Sequence, residues 1–208
     1  MSQADPYVIH DVAALRAVIG AEIPGLATKV ERGLNDDAIE FLQRAPFLVL
    51  SSSDADGNLD ASPKGDEPGF VFVENATTLV IPDRPGNRLV FGHVNVLRNP
   101  HVGLLFMVPG TAETLRVNGR AELTVNPELL AQLAARGKPA VIAMRVHVDE
   151  CFFHCAKAFI RARLWQPDTW QARLPISFGQ MLAKKTGGDA ALAATIDARV
   201  AADYRDNL

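Results

Sequence analysis

The sequence predicts a mainly β fold with flanking helices, an α+β chain built around an antiparallel barrel. Short apolar runs separated by turn residues crowd the middle of the chain, and helical patterns occupy both ends. A closed barrel is expected because closure removes the exposed edges that a small sheet would otherwise leave. The expected strands are Phe47–Leu50, Leu59–Ser62, Phe70–Val73, Thr78–Ile81, Val102–Val108, Thr114–Asn118 and Val141–Val148.

Helix signals divide the chain into three parts. Asp11 is a candidate N-cap for a first helix, and Asp36 and Asp37 open a second. Further helices are expected at Leu89–Leu97, at Pro127–Ala135, and over Ile176–Leu208 with a break near Gly187 and Gly188. We therefore expect an N-terminal helical segment at 1–44, a barrel domain at 45–170, and a C-terminal helical segment at 171–208 packed on the barrel.

Three positions predict turns or strand ends. Asp54–Asn58 contains an Asp-Gly step, which is typical of a hairpin turn. Asn118-Gly119 predicts a second turn. Pro63 is expected to end ladder pairing, because proline is poorly tolerated in a central strand.

Composition and charge exclude several classes of protein. The 208 residues carry 21 Lys and Arg against 24 Asp and Glu, a formal net charge of −3, so no general attraction to nucleic acid or anionic lipid is expected. No apolar run approaches the ~20 residues that span a bilayer, and the N-terminal sequence does not resemble a secretory signal. Two cysteines cannot build a disulfide framework, which favours a reducing cytoplasm.

Two polar segments are candidate anion sites. Asp60–Gly65 places Lys64 at the predicted barrel rim, where it is either a ligand-binding cation or a solvated loop lysine. In the second segment, Pro82–Arg88, Gly86 and Asn87 tolerate positive φ, and arginines at 84 and 88 suit phosphate oxygens. The alternative there is a surface turn with solubilising charges.

Alternation in the strand at 114–118 separates two faces. Thr114, Arg116 and Asn118 fall on one face, and Leu115 and Val117 fall on the other. The polar face either lines a ligand groove or meets solvent.

A Cys/His cluster follows the last predicted strand. Cys151, His154 and Cys155 match no standard zinc spacing, and a Cys155 nucleophile activated by His154 lacks an accompanying oxyanion motif. No metal site is therefore assigned. If the segment is helical, His154, Lys157 and Arg161 share a face that meets either an anionic ligand or solvent.

Ordered blocks over about residues 40–170 make the chain similar to a known family. The blocks read FLVLSSSDADGNLDASPKGD, GFVFV, LVIPDRPGNR, NPHVGLLF, ETLRVNGRA and FFHCAKAFIRARLW. Together they resemble the FMN-binding split-barrel flavoproteins, the superfamily of pyridoxamine 5′-phosphate oxidase, and within it a bacterial subfamily of FMN-dependent oxidoreductases.

The resemblance implies a split barrel, a homodimer, and FMN at the interface between the two copies. Ser62, Pro63 and Lys64 would line the isoalloxazine edge, and Thr114 and Arg116 would approach the ring from the partner chain. The residues implied near the phosphate are Pro82, Asp83, Arg84, Gly86, Asn87 and Arg88. His154, Cys155 and Lys157 would shape either the substrate side or the cofactor pocket.

The function implied is FMN-dependent oxidation or reduction of an unidentified small molecule, with no catalytic side chain assigned. Pyridoxal-phosphate-binding residues of true pyridoxamine phosphate oxidases are not recognisable. The alternatives are a flavin carrier or sensor without turnover, a split-barrel protein that uses deazaflavin F420 or haem, and a Cys/His metalloprotein.

Overall fold

A computed structural model describes residues 5–207. Residues 1–4 and Leu208, which belong to the predicted helical end segments, lie outside the described range. The chain forms two compact units that divide between Val30 and Glu31. The three-part division expected from the sequence stays a prediction.

The first unit contains helix α1, Val12–Ile19, and a short 3₁₀ helix at Leu26–Lys29. Asp11 caps α1 as predicted, because its carboxylate accepts a hydrogen bond from the Ala14 N–H at 2.8 Å. No side chain of α1 is buried.

The second unit contains seven strands and six α-helices among its described residues. The strands are β1 (Phe47–Ser53), β2 (Leu59–Gly65), β3 (Phe72–Asn75), β4 (Thr78–Asp83), β5 (His101–Met107), β6 (Thr114–Thr124) and β7 (Ile142–His154). The helices are α2 (Asp36–Arg44), α3 (Phe91–Arg98), α4 (Pro127–Gln132), α5 (Lys157–Ala162), α6 (Phe178–Thr186) and α7 (Ala190–Asp206).

The strands form one antiparallel sheet in the order β2-β1-β5-β6-β7-β4-β3. The mainly β, α+β prediction is confirmed, but full closure of the barrel is wrong, because no ladder joins β2 to β3 in the described chain. The two sides of the opening meet through side chains instead: the Lys64 ammonium of β2 lies 2.9 Å from the Asp83 carboxylate of β4. The sheet therefore curls, but no backbone hydrogen bonds between its edge strands β2 and β3 close it.

The main core fills the inside of this curled sheet. Leu42 of α2, Leu104 and Phe106 of β5, and Val117 of β6 are fully or almost fully buried in it. Val96 brings α3 into the same core. A second cluster packs α4 against strands, with Leu129, Leu133, Val80, Ala140 and Ala143 as its buried members.

Several strands extend beyond their predicted ends, and in β2 and β4 the extended strand includes a proline. Pairing in β2 continues past Pro63 to Gly65, and Pro63 lies opposite Val49, so the expected stop at Pro63 is wrong. An edge strand forms a ladder on one side only and can therefore include a proline. Similarly, Pro82 and Asp83 belong to β4, paired with β7, and the turn starts only at residue 84.

The turn expected at Asn118-Gly119 is wrong, because both residues lie within β6, opposite a β-bulge of β7 in which Asp149 is the extra residue. A Cβ on Gly119 would lie 2.2 Å from the His147 carbonyl oxygen, so the close approach of β7 requires glycine. β7 itself runs on to His154, six residues beyond its predicted end at Val148. The helical alternative for Cys151–His154 is therefore wrong, and α5 begins at Lys157.

Other local predictions are confirmed. The Asp54–Asn58 turn joins β1 to β2, with Gly57 at φ 85°. The C-terminal helical region breaks at Gly187, which ends α6 in the left-handed conformation at φ 73°. Among residues 5–207, no helix is both long and apolar enough to span a membrane.

Candidate functional site

Three side chains meet at the opening between β2 and β4, and we call Lys64, Asp83 and His93 the Asp83 cluster. One carboxylate oxygen of Asp83 lies 2.9 Å from the Lys64 ammonium, and the other lies 2.8 Å from Nε2 of His93. Burial alone would raise the pKa of Asp83, but the hydrogen bonds from His93 and Lys64 outweigh it and lower this pKa to about 2. Asp83 is therefore ionised at neutral pH and fixes two groups on different elements.

Helix α3 packs closely on the hairpin of β1 and β2. A Cβ on Gly92 would lie 3.2 Å from a carboxylate oxygen of Asp60. The Asp60 carboxylate also accepts a 2.6 Å hydrogen bond from the Ser62 hydroxyl. Asn95 donates to the Ser52 hydroxyl at 3.1 Å. The first turn of α3 is thus held beside the polar side chains of β2.

The loop between β4 and α3 has an unusual backbone. Positive φ values occur at Arg88, 61°, and at the β-branched Val90, 49°, rather than at Gly86 or Asn87. The Asn87 side chain instead accepts a hydrogen bond from the Leu89 N–H at 3.0 Å. Left-handed backbone at non-glycine residues is costly and is concentrated at functional sites.

The loop leads into the N-terminus of α3, which has no side-chain cap, and it carries Arg88, an arginine without a partner in the described chain. Val90 at the N-cap of α3 makes no side-chain capping bond, and the first turn contains no acidic residue. Arg88 is exposed, and in residues 5–207 its guanidinium contacts no partner. Unpaired amides and an unpaired arginine at one end of a helix are groups that attract an anion.

Arg84 has partners elsewhere. Its Nε donates to the Asp66 carboxylate at 2.8 Å, and its Nη1 donates to the Leu133 carbonyl at 2.9 Å. Pro82 is buried within β4, and Gly86 lies in the open loop. The structure therefore places Arg88, and not Arg84, where its guanidinium is unengaged.

The polar face of β6 forms a second group. Arg116 lies 2.6 Å from Glu150 of β7, and its guanidinium sits 4.0 Å from the centre of the Phe152 ring. Asn118 donates to the same glutamate at 2.9 Å. Arg116 Nε is buried without a hydrogen-bond partner. Thr114 is buried too.

The predicted alternation in β6 is confirmed, since Leu115 and Val117 have no exposed surface and belong to the core. In the sheet, β1 and β5 separate β6 from β2, and β7 separates it from β4. No contact between described side chains joins Arg116 to the Asp83 cluster. One copy of the chain thus brings Ser62, Lys64 and the 84–90 loop to one region and leaves Thr114 and Arg116 in another.

The Cys/His block lies at the end of β7. Cys151 and His154 are three residues apart in a strand, which sends their side chains to opposite faces. Burial raises the pKa of the Cys151 thiol to about 11, whereas Cys155 is exposed. Across the described part of the chain, no three His, Cys, Asp or Glu side chains are grouped to hold a metal ion. The His154 ring lies 4.7 Å from the Phe152 ring, tilted by 56°, and Arg116 contacts the same Phe152 ring.

Several residues of these sites were missed by sequence reasoning. His93 was one of several scattered histidines, and only the fold brings it to Asp83. Glu150 and Phe152 meet Arg116 through the β6–β7 register, which their spacing does not reveal. Asp66 and Arg136 likewise come together from distant segments.

A seven-stranded antiparallel sheet that curls around a helix-covered core, yet stays open between two strands, defines the split-barrel class. The family model for pyridoxamine 5′-phosphate oxidase matches residues 34–155, more than half of the chain, and the chain belongs to this family. The match contains all seven strands. The resemblance inferred from the sequence blocks is confirmed.

No curated protein matches the chain significantly in sequence. Among solved structures, HupZ from Group A Streptococcus is 14% identical, with a TM-score of 0.47 over 58% of this chain and 93% of that one. A protein from Lactobacillus delbrueckii assigned as a pyridoxamine 5′-phosphate oxidase is 22% identical, with a TM-score of 0.46 over 59% and 95%. An FMN-binding protein from Syntrophomonas wolfei is 9% identical, with a TM-score of 0.43 over 56% and 87%.

Proposed function

We propose that this protein binds FMN beside the first turn of α3 and acts as an FMN-dependent oxidoreductase on a small molecule. The observation that carries the proposal is the exposed, unpaired Arg88 at the uncapped start of α3, next to the Asp83 cluster. When bound, FMN supplies the hydride and electron transfer, and the protein supplies binding, orientation and electrostatics.

The phosphate end of FMN fits the loop that precedes α3. The amides of the helix terminus and the Arg88 guanidinium offer donors to phosphate oxygens. Asn87 shapes this loop through its bond to the Leu89 N–H, and Gly86 leaves the approach open. Left-handed residues at 88 and 90 direct the chain into α3.

The ring end fits β2. Ser62 and Lys64 alternate with Pro63 along this edge strand and lie next to α3 through Asp60 and Gly92. Lys64 donates one hydrogen bond to Asp83, which leaves two of its three N–H groups for a ligand. A lysine held near the pyrimidine end of the ring stabilises a reduced, anionic flavin.

A second copy of the chain would complete the site. Thr114 and Arg116 do not reach the Asp83 cluster within one copy. The Nε group of Arg116 has no hydrogen-bond acceptor among the described residues. We therefore propose a homodimer in which β6 of each copy serves the partner's flavin. His154, Cys155 and Lys157 remain candidates for the substrate side. Two free thiols suit the reducing cytoplasm as the place of action.

The test is a fluorescence titration of FMN with the full-length protein and three arginine variants. Arg88→Ala should weaken FMN binding by roughly tenfold to a hundredfold, since charge-assisted hydrogen bonds contribute about 1.5–3 kcal/mol. Arg84→Ala should change the affinity by less than about threefold, because Arg84 is engaged by Asp66. Arg199→Ala, on the exposed face of α7, is the control for loss of one positive charge.

If Arg88→Ala binds FMN as tightly as the wild type, the phosphate assignment is wrong. If the wild type retains deazaflavin F420 or haem and not FMN, the cofactor assignment is wrong. Bound FMN that neither nicotinamide nor a small oxidant recycles at a useful rate would identify a carrier or sensor instead of an enzyme. Size-exclusion chromatography with light scattering tests the dimer independently.

A further inference from the structure

A cavity of about 660 Å³ has Arg84 in its lining but no residue of the 85–90 loop that carries Arg88. It is bounded by the connection between β2 and β3, by β3, and by the residues that follow α4. This volume lies within the range of pockets that hold small organic molecules. The lining residues used below are Asp66, Phe70, Phe72, Val73, Arg84 and Arg136.

A buried carboxylate organises the charged wall of this cavity, which we call the Asp66 cavity. The Asp66 side chain is only 3% exposed and is contacted by Arg84 at 2.8 Å and by Arg136 at 3.1 Å. Burial by itself raises the pKa of Asp66, but the hydrogen bond from Arg84, the Glu67 N–H and the charges of both arginines together lower it. One buried, ionised carboxylate thus faces two guanidinium groups, while the second acidic residue of the lining, Glu67, is exposed to solvent.

The two arginines retain unused donors. Nε of Arg84 donates to Asp66, and Nη1 donates to the Leu133 carbonyl, whereas Nη2 makes no hydrogen bond in residues 5–207. Arg136 Nη2 lies 3.1 Å from the Asp66 carboxylate, and no other partner of Arg136 is found among the described side chains. Guanidinium groups present their donors in a planar fork that matches a carboxylate or a phosphate.

Backbone geometry holds Arg136 in place. Arg136 and Gly137 both have positive φ, at 50° and 75°, in a tight turn closed by the Ala135–Lys138 bridge. A left-handed arginine persists only where its surroundings stabilise it. The contact with the buried Asp66 carboxylate holds the Arg136 side chain at the cavity wall.

Apolar side chains form another part of the lining, which also contains Gln43, Glu67 and Gln132. Phe70, Phe72 and Val73 are half-buried, and each keeps part of its surface toward the cavity. A cationic end with free donors next to aromatic surface matches a ligand that has an anionic group on an apolar body. We propose that the Asp66 cavity binds a small aromatic or branched aliphatic carboxylate.

This site is separate from the proposed flavin site. None of its lining residues belongs to the Asp83 cluster or to the 85–90 part of the loop before α3. Arg84 directs its side chain to Asp66 and Leu133, whereas its neighbour Asp83 directs its carboxylate to Lys64 and His93. Adjacent residues of β4 and its loop thus serve different sites.

Benzoate is the probe, and its binding to the full-length protein is measured by calorimetry and by ligand-observed NMR. Wild type should bind benzoate and should bind benzyl alcohol, which has the ring without the charge, at least about fivefold more weakly. Arg136→Ala should weaken benzoate binding by about fivefold or more. Lys138→Ala removes the same charge from the same turn outside the cavity lining, and it should change binding by less than about twofold.

Protein chemical shifts give a second measurement that needs no variant. Benzoate should shift the signals of Phe70–Val73 and of residues 132–136, and saturating FMN should not displace it. The proposal is overturned if benzoate does not bind, if the shifts lie elsewhere, or if the two variants weaken binding equally. Displacement by FMN would also overturn it, because the cavity would then be part of the flavin site. Failure of FMN binding alone would leave this result unaffected.

Discussion

The Asp83 carboxylate of β4 holds the Lys64 ammonium of β2 at 2.9 Å, although no backbone hydrogen bond joins these strands in residues 5–207. The same carboxylate holds His93 of α3 at 2.8 Å. One side chain therefore links both sides of the open sheet and the helix that begins the proposed phosphate site. This contact therefore affects both the stability of the fold and the geometry of the proposed cofactor site.

We expect Asp83→Asn to lower the free energy of unfolding at pH 7 by about 2 kcal/mol, because a neutral amide replaces the ionised carboxylate that accepts hydrogen bonds from Lys64 and His93 in the folded state. The pKa of Asp83 falls from 3.8 to about 2 on folding, so its contribution is present above 3.8 and is lost as pH falls through about 2. Denaturant unfolding across this range should show the wild type and the variant converging in acid.

Asp149→Asn is the matched control, because the Asp149–Arg120 pair is largely exposed and contributes little. A gap between wild type and Asp83→Asn that stayed constant down to pH 2 would contradict the assignment of the lowered pKa.

Gly119→Ala should destabilise the fold by more than about 2 kcal/mol, since its methyl group would meet the His147 carbonyl at 2.2 Å where β6 faces the bulge of β7. Gly86→Ala should cost much less, because the nearest atom to its added carbon is 4.0 Å away. Thermal and denaturant unfolding measure the stability of both variants, one at a position without space for a Cβ atom and one at a position with that space. Equal losses would show that the bulge tolerates a side chain.

The two thiols should differ sharply toward a disulfide reagent at pH 8. Cys155 is exposed and should react first, whereas Cys151 is buried, with its pKa raised to about 11. The native protein should release one equivalent of chromophore quickly, and the second only on unfolding. Cys155→Ser should remove the fast phase, and a fast phase that survives this change would place the reactive thiol at Cys151.

Asn35→Ala should destabilise the second unit by about 1 kcal/mol, because Asn35 accepts the Ala38 N–H at 2.9 Å and caps α2. α2 buries Phe41 and Leu42, so its fraying disturbs the core. Asn35→Asp should restore most of the loss. Asp11→Ala removes the corresponding cap of α1, which buries no side chain, and it should leave the main unfolding transition unchanged.

Local signals in the sequence predicted most elements, whereas contacts between distant segments remained hidden. The Asp-Gly turn at 54–58 and the helix caps depend on neighbouring residues alone, and they appear as expected. β7 exceeds its prediction because its pairing with β6 continues past the bulge to His154. No period or motif encodes that bulge.

The candidate site shows the same division. The segment 82–88 was predicted as a turn with two arginines, but only residues 84–88 lie outside β4. The partners of Arg84 are Asp66 and Leu133, which come from other parts of the fold. His93 became a candidate only when the sheet brought Asp83 to α3. The sequence shows which turns carry charged residues, but the tertiary structure determines which partners those side chains contact.

The unpaired side of β2 also affects how the molecule behaves at high concentration. A free sheet edge can recruit a strand from another molecule and start ordered aggregation. Pro63 offers such a strand no amide hydrogen, and Lys64 beside it would have to leave Asp83 to adjust. Pro63 and Lys64, two of the three residues that we propose line the flavin edge, are therefore also expected to protect the open barrel from edge-to-edge polymerisation.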